Sequence, residues 1–348
     1  MSDARAIQSE LQCPNCGGQC LYDPAVQALK CTSCGTVTGL ETPDDAAAAD
    51  EFPYDPLAPV TEAAVVFETL VHRCETCGGS VTFVARSLST HCPYCNGPVV
   101  IDTTDDGYEP MALIPFRVPQ GDARRRAQIW VQKRLAAPAN LAGVVSQARV
   151  AGLYVPFWTF DSDEVIRYWA DYTVRRNKST HVRSTAGNLS MRFDDMLIPA
   201  SHHVTPLIRD GILHDFYPER LRPYRAGYLA GFAAEQHHQT VAEGLQIKGD
   251  EKALLIRNRI KRHINKSGVH NIRYQADTSG IRYRRILLPV WILHYDDNGA
   301  PKKVVVCGMA GRTFGERPFS NWKLAGYAAL LSAIAVGTGL AWGAAGLL

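Results

Sequence analysis

Eight cysteines fall into two sets with the same spacing. Cys13 and Cys16 are separated by two residues, and after fourteen more come Cys31 and Cys34; Cys74, Cys77, Cys92 and Cys95 repeat the pattern. Two cysteines two residues apart can place both thiolates on one ion from a single turn, and two such knuckles close a tetrahedral site of four thiolates. Gly17, Gly35 and Gly78 follow three second cysteines and Asn96 the fourth, residue types that tolerate the positive φ needed to turn the chain around a metal. This spacing points to two structural zinc ribbons; iron in a rubredoxin-like site would use the same ligands. Paired knuckles in a chain with no apolar N-terminal stretch favour metal in a reducing compartment over disulfides. Cys20 and Cys307 remain as spare thiols.

The elements that must position these ligands differ sharply in charge. The 348 residues carry a net charge of +3, yet residues 1–110 hold four basic side chains (Arg5, Lys30, Arg73, Arg86) against sixteen acidic ones, a net of −12. The remainder carries 33 basic and 18 acidic residues, a net of +15. A ribbon that grips nucleic acid needs Lys and Arg to neutralise phosphates, so the acidic N-terminal region argues against nucleic acid as its partner. Ribbons are expected at 10–40 and 70–102, joined by an acidic, Ala- and Pro-rich linker over 41–69.

The C-terminus is the opposite extreme. Residues Leu324–Leu348 contain no charge, and as a helix they would run about 37 Å, enough to cross a hydrocarbon core. Arg312, Arg317 and Lys323 precede the segment. The positive-inside rule then gives a single-pass protein of the cytoplasmic membrane with its N-terminal body in the cytoplasm. Ala325, Ala329, Ala333, Gly337, Ala341 and Ala345 recur every fourth residue, and Gly339 and Gly343 form a GxxxG. Rows of small residues let membrane helices approach closely, so a homo-oligomer through this helix, or a helical partner in the bilayer, is expected.

Residues 111–320 read as a mixed α+β domain. Gly121–Ala136 has helical spacing, Gly152–Asp161 and Val165–Val174 are β-prone, and Tyr228–His263 is helical with a break at Ile247–Glu251. Arg284–Tyr295 and Lys302–Met309 read as a hairpin around Asn298-Gly299. Pro156/Trp158 and Pro289/Trp291 echo each other, which points to a diverged duplication. No phosphate-loop, nucleophile-elbow, HExxH or dinucleotide motif occurs. The polar clusters His202-His203, His237-His238, Asp161/Asp163/Glu164, Asp194-Asp195 and Asp296-Asp297 are expected at turns and helix surfaces rather than in one site. Three basic stretches, Arg175–Arg183, Arg257–Lys266 and Arg282–Arg285, suit attraction to anionic membrane lipids.

Together the paired knuckles, YVPFWTFD (154–161), YLAGFAAE (228–235), LLPVW (287–291) and CGMAGRTFGERPFS (307–320) resemble a family of bacterial TFIIB-type zinc-ribbon proteins. Members often carry the name primosomal protein N′ (replication factor Y), helicase-like. A helicase needs a phosphate-cradling loop with its lysine, and this chain has none. The resemblance implies a non-enzymatic accessory protein that accompanies membrane-stress proteins of the phage-shock (PspA-like) and SPFH types. The expected function is therefore a membrane-anchored zinc-ribbon adaptor acting through protein contacts. The alternatives are a nucleic-acid-binding replication or transcription accessory factor, and a hydrolase in the central domain.

Overall fold

A computed structural model describes residues 11–40, 50–55, 65–66, 71–83, 91–102, 106–133, 136–176, 179–297, 299–316, 318–344 and 346. Most of the expected linker, together with Asn298, Arg317 and Ala345, lies outside them. The first cysteine module contributes β1 (Cys20–Asp23), β2 (Ala28–Cys31) and β3 (Val37–Thr38). Short strands β4 (Phe52–Pro53) and β5 (Val65–Val66) precede the second module, which supplies β6 (Val71–Cys74), β7 (Ser80–Phe83) and β8 (Val99–Asp102). Next come β9 (Asp106–Gly107), β10 (Ala112–Leu113), α1 (Gln120–Gln132) and α2 (Leu141–Ser146). The long hairpin β11 (Arg149–Arg176) and β12 (Ser179–Pro199) leads to α3 (Pro206–Leu213), β13 (Arg222–Pro223) and β14 (Ala233–Glu235). The chain ends with α4 (Val241–Ile264), β15 (His270–Asp297), β16 (Ala300–Cys307), β17 (Thr313–Gly315) and α5 (Asn321–Ala344).

The architecture is mixed α/β and sheet-rich: twelve of the described strands join one sheet. Its spine is the antiparallel pair β11–β15, in register from Arg149↔His294 to Asp171↔His270 with two irregularities. Val155 faces Leu288, while Tyr154 faces Pro289 and Pro156 faces Leu287, so the two echoed Pro/Trp segments are related by an approximate two-fold through the Val155–Leu288 pair. The flanking strands obey the same relation. β14 runs parallel to β11 at Leu153–Tyr154, and β10 runs parallel to β15 at Ile286–Leu287. Past them β12 and β16 return antiparallel, pairing Pro199 with Phe157 and Cys307 with Val290. Even the next hydrogen bond repeats: Ala200 N–H donates to the Pro156 carbonyl at 3.0 Å, and Gly308 N–H to the Pro289 carbonyl at 3.0 Å.

Alternation along the spine divides the core by face. Leu153, Val155, Phe157, Ile286, Leu288 and Val290 pack with Ile208 and Ile212 of α3 and with Cys74, Val81, Cys92 and Tyr94 of the second module. On the other face Tyr154, Leu287 and Trp291 pack with Ala123, Ala127 and Val131 of α1 and with Cys13, Tyr22 and Cys31 of the first module. Further along that face Trp158, Phe160 and Ile166 meet Val241, Ile256 and Ile260 of α4. Burial on both faces explains why these strands read as continuous apolar runs.

Three sequence expectations change. The segment read as one helix from Tyr228 contains a 3₁₀ turn and β14 before α4 begins at Val241. The start is set by a capping box, in which Glu243 N–H donates to Thr240 Oγ1 and Thr240 N–H to Glu243 Oε2. No break occurs at Ile247–Glu251, because an internal glycine costs only about 1 kcal/mol and Lys248 is buried there, donating to Ser162 Oγ at 3.0 Å. Asp161, Asp163, Glu164, Asp194 and Asp195, expected at strand ends, lie within β11 and β12.

The two-fold suggests a test of close packing. A Cβ on Gly308 would stand 2.7 Å from the Phe116 ring and 2.8 Å from Pro289 Cβ, whereas Ala200 already occupies the matching position. Gly308→Ala is expected to destabilise the protein by about 1–3 kcal/mol, read from the midpoint of a urea melt in detergent; an unchanged midpoint would show that the site relaxes freely.

Candidate metal centres

In each module two knuckles bring four sulfurs together. The four ligand atoms of Cys13, Cys16, Cys31 and Cys34 lie within 4.8 Å of one another, as do those of Cys74, Cys77, Cys92 and Cys95. Individual Sγ separations are 3.6 Å (Cys13–Cys34), 3.5 Å (Cys16–Cys31), 3.4 Å (Cys74–Cys95) and 3.8 Å (Cys77–Cys92). Thiolates about 2.3 Å from a zinc ion stand about 3.8 Å apart in a tetrahedron, so both sets fit a four-thiolate ion.

The local sequence makes the knuckles. Gly17, Gly35, Gly78 and Asn96 have φ of 67°, 75°, 76° and 67°, and their N–H groups donate to the carbonyls of Cys13, Cys31, Cys74 and Cys92. The reversal aims backbone N–H groups at sulfur: Gly18 at Cys16, Ser33 at Cys31, Thr76 at Cys74, Tyr94 at Cys92 and Gly97 at Cys95, each at 3.4 Å. Such donors favour the thiolate, the form that binds metal. Cys34 is held down to about 6, chiefly by the Thr36 hydroxyl and N–H. Cys77 is pushed up to about 11, first by burial. In the same set as Cys77, Cys74 is lowered to about 7, burial being outweighed by the N–H groups of Cys77 and Thr76, and a set that mixes the two kinds of thiol holds protons that a metal ion would displace.

Each module is also fastened to the central domain. In the first, Tyr22 N–H donates to the Ala230 carbonyl at 3.0 Å and Gln27 Nε2 to the Phe116 carbonyl at 2.7 Å. The second is part of the large sheet through β7, which pairs with β14. Its knuckles are clamped by His294 Nε2 on the Pro93 carbonyl (2.7 Å), Lys303 Nζ on the Tyr94 carbonyl (3.2 Å) and His203 Nε2 on the Cys77 carbonyl (3.0 Å). Buried Glu235 gathers Tyr94 Oη, Ser201 Oγ and His203 Nδ1, and its hydrogen bond raises the pKa of His203. Sequence reading had no signal for this group beyond the His202-His203 pair, since Glu235 and Ser201 lie far from the cysteines in the chain.

The other singled-out groups do not converge on one centre. Cys20 is buried but outside the four-sulfur set. Cys307 heads a knuckle of the same shape: Gly311 N–H donates to its carbonyl at 2.8 Å, with Gly311 at φ 77°. Ala310 stands where a second ligand would be. His237 is buried with Nε2 on the Phe157 carbonyl at 3.1 Å, and burial pushes it down to about 3. Glu51, Asp161 and Asp195 do place carboxylate oxygens together, but buried Arg284 reaches Glu51 and Asp195, Arg192 reaches Asp161, and Arg282 reaches Glu51. With Asp194 also on Arg192, this is an ion-pair network of three arginines and four carboxylates, with Glu51 raised to about 7 first by burial.

At the chain's end, Asn321–Trp342 of α5 is long and apolar enough to cross a membrane, and none of it is buried against the protein. The helix is rooted where Ser320 N–H donates to the Ala136 carbonyl (2.8 Å) and Lys323 Nζ to that of Ala137 (2.7 Å).

No protein-family model matches the chain, and no solved structure matches it. It is similar to a Bacillus subtilis (strain 168) protein whose printed name is "Uncharacterized protein YdjG", 25% identical over 347 residues, covering 95% of each chain. The similarity thus runs over nearly the whole length of both chains.

Metal content tests the centres directly. Protein purified with its metal is expected to carry close to two zinc ions per chain, measured by plasma mass spectrometry. Cys16→Ser and Cys77→Ser should each remove about one, while Cys307→Ser should leave the content unchanged. A wild-type value near one would mean that one set is not a metal site.

Proposed function

We propose that this protein is a membrane-anchored zinc-ribbon adaptor, held by α5 in the cytoplasmic membrane with its body in the cytoplasm. The observation that carries the reading is the pairing of two closed four-cysteine sets with a wholly unburied apolar helix. A site that uses metal for catalysis keeps a coordination position open for water or substrate. Four cysteines per set fill a tetrahedron, so the ions would be structural, zinc being our reading and iron the alternative that the same ligands would hold. Their work is to fold and hold two small modules that have little apolar core of their own.

With the modules held on opposite faces of the sheet and the chain tied to a bilayer, the chemistry on offer is the presentation of surfaces to other proteins. The family resemblance makes PspA-like and SPFH-type membrane-stress proteins the partners of first choice. Small residues along α5 offer close helix approach in the bilayer, which supports a homo-oligomer. The competing reading, a nucleic-acid accessory factor, draws on the basic stretches 175–183 and 257–266, which the fold brings together: Thr173 N–H and Oγ1 both contact the Ser267 carbonyl at 3.2 Å.

Two measurements test the adaptor. Full-length protein should stay with membranes through carbonate and high salt, and removal of Leu324–Leu348 should release it. Partners cross-linked to the wild-type protein in intact membranes should be lost from Cys16→Ser or Cys77→Ser protein that still sediments with membranes. Wild-type protein that is soluble without detergent would refute the anchor, and partner sets indifferent to both substitutions would refute the role of the modules.

A further inference from the structure

The outward surface of α4 mixes apolar and cationic side chains in a way its packing does not require. Its inner side is accounted for by Val241, Ile256 and Ile260 against the sheet. Facing out, Leu254 is 62% exposed, Leu255 42% and Ile247 40%, although a lone helix would present polar groups there. The following turns add Arg257, Arg259, Lys261 and Arg262, all exposed. Glu251 pairs with Arg209 and Lys252 with Glu164, but among the described residues these four cations form no ion pair. Three branched aliphatics bordered by four uncompensated cations make a surface suited to the boundary between acyl chains and anionic headgroups.

The position of this surface relative to the anchor gives the partner. Tyr154 and Trp158 of β11 are four residues apart with unbroken register, so they share a face; the first packs in the α1 cluster and the second in the α4 cluster. The helices α1 and α4 therefore lie on the same side of the sheet. The root of α5 is hydrogen-bonded to Ala136 and Ala137, just past the end of α1; α1 exposes Ile129, and Lys133, which caps it, is exposed as well. The first cysteine module shares this side; over residues 11–40 its charged side chains, Asp23 and Lys30, balance, and a zinc ion on four thiolates would add about −2. We infer that α4 is a second, interfacial membrane contact: its outer surface lies on the anionic bilayer that α5 enters, so that the helical face of the sheet is turned to the lipid.

Nucleic acid fits this surface less well. Single-strand binders set aromatic rings among their cations for stacking, and the exposed aromatic of this region, Trp169, is on the other side of the sheet. Its neighbour Tyr168 packs in the α4 cluster, and successive strand residues point to opposite faces. The inference rests on the anchor reading above, so its test is designed to fail separately.

Full-length protein in nanodiscs containing phosphatidylglycerol, with Leu254→p-benzoylphenylalanine, is irradiated and analysed by mass spectrometry. A lipid adduct at position 254 is expected, falling several-fold in neutral nanodiscs or after Arg257→Glu with Lys261→Glu, while incorporation through α5 is unchanged. The same photoreactive residue in place of Trp169 should give little lipid adduct. Protein that enters nanodiscs yet gives no lipid adduct at 254, or equal adducts at both positions, overturns the interfacial contact and leaves the anchor standing. Protein that fails to enter nanodiscs overturns the anchor and this inference with it. An oligonucleotide that displaces the lipid adduct and is itself cross-linked at 254 would reassign the surface to nucleic acid.

Discussion

The rest of the structure depends on the ladder between β11 and β15. These two strands are separated by about a hundred residues in the chain, so the loop-closure cost of their contact must be offset by what the pairing allows to be buried. What it allows is two covered faces. Leu153, Val155 and Phe157 alternate with Tyr154, Trp158 and Phe160, and the same alternation runs through β15 around Leu288. A one-residue slip would exchange the two faces on every paired residue. The short strands β14 and β10 then take matching places on the two outer edges of this pair, by the same two-fold.

The cysteine modules are sited by that symmetry as much as by their own knuckles. One set buries Cys13 and Cys31 against the Tyr154 face, the other buries Cys74 and Cys92 against the Leu153 face. Each ion would therefore sit at the margin of a hydrophobic cluster, where metal coordination and core burial are coupled. Loss of metal from the second module would also loosen an edge of the large sheet, since β7 pairs with β14 and Glu235 of β14 gathers Tyr94 from beside Cys92. The first module has its own three-stranded sheet and, among the described residues, touches the domain through side chains and one backbone–backbone hydrogen bond at Tyr22, so the two should respond to metal loss differently.

The charges follow a parallel logic. Within the body, buried Arg284 is matched with Glu51 and Asp195, and buried Glu164 with Lys252, while buried Lys248 rests on Ser162 Oγ and is pushed down to about 8, first by burial. Burial of an unmatched charge would cost several kcal/mol, which explains why Asp161 and Glu164 could sit mid-strand against expectation. Arg257, Arg259, Lys261 and Arg262 of α4, which form no ion pair among the described residues, are at the surface, where solvent or an anionic surface can meet them.

Read from residues alone, the two cysteine sets were fully legible, because a metal-binding knuckle is a local object whose ligands, turn residues and reversal all lie within a few positions. The uncharged C-terminal segment was legible for the same reason: length and absence of charge are local properties. So too was the core of the spine, since Pro156/Trp158 and Pro289/Trp291 announce one another in the sequence. Tertiary structure alone decided that these echoes face each other across one ladder, that β14 interrupts the presumed helix before Thr240, and that Glu235, Ser201 and His203 converge on the second module. It alone placed α1, α4 and the root of α5 on one side of the sheet. Those relations join residues tens to hundreds of positions apart, and they are set by register and face burial, which no window of sequence contains.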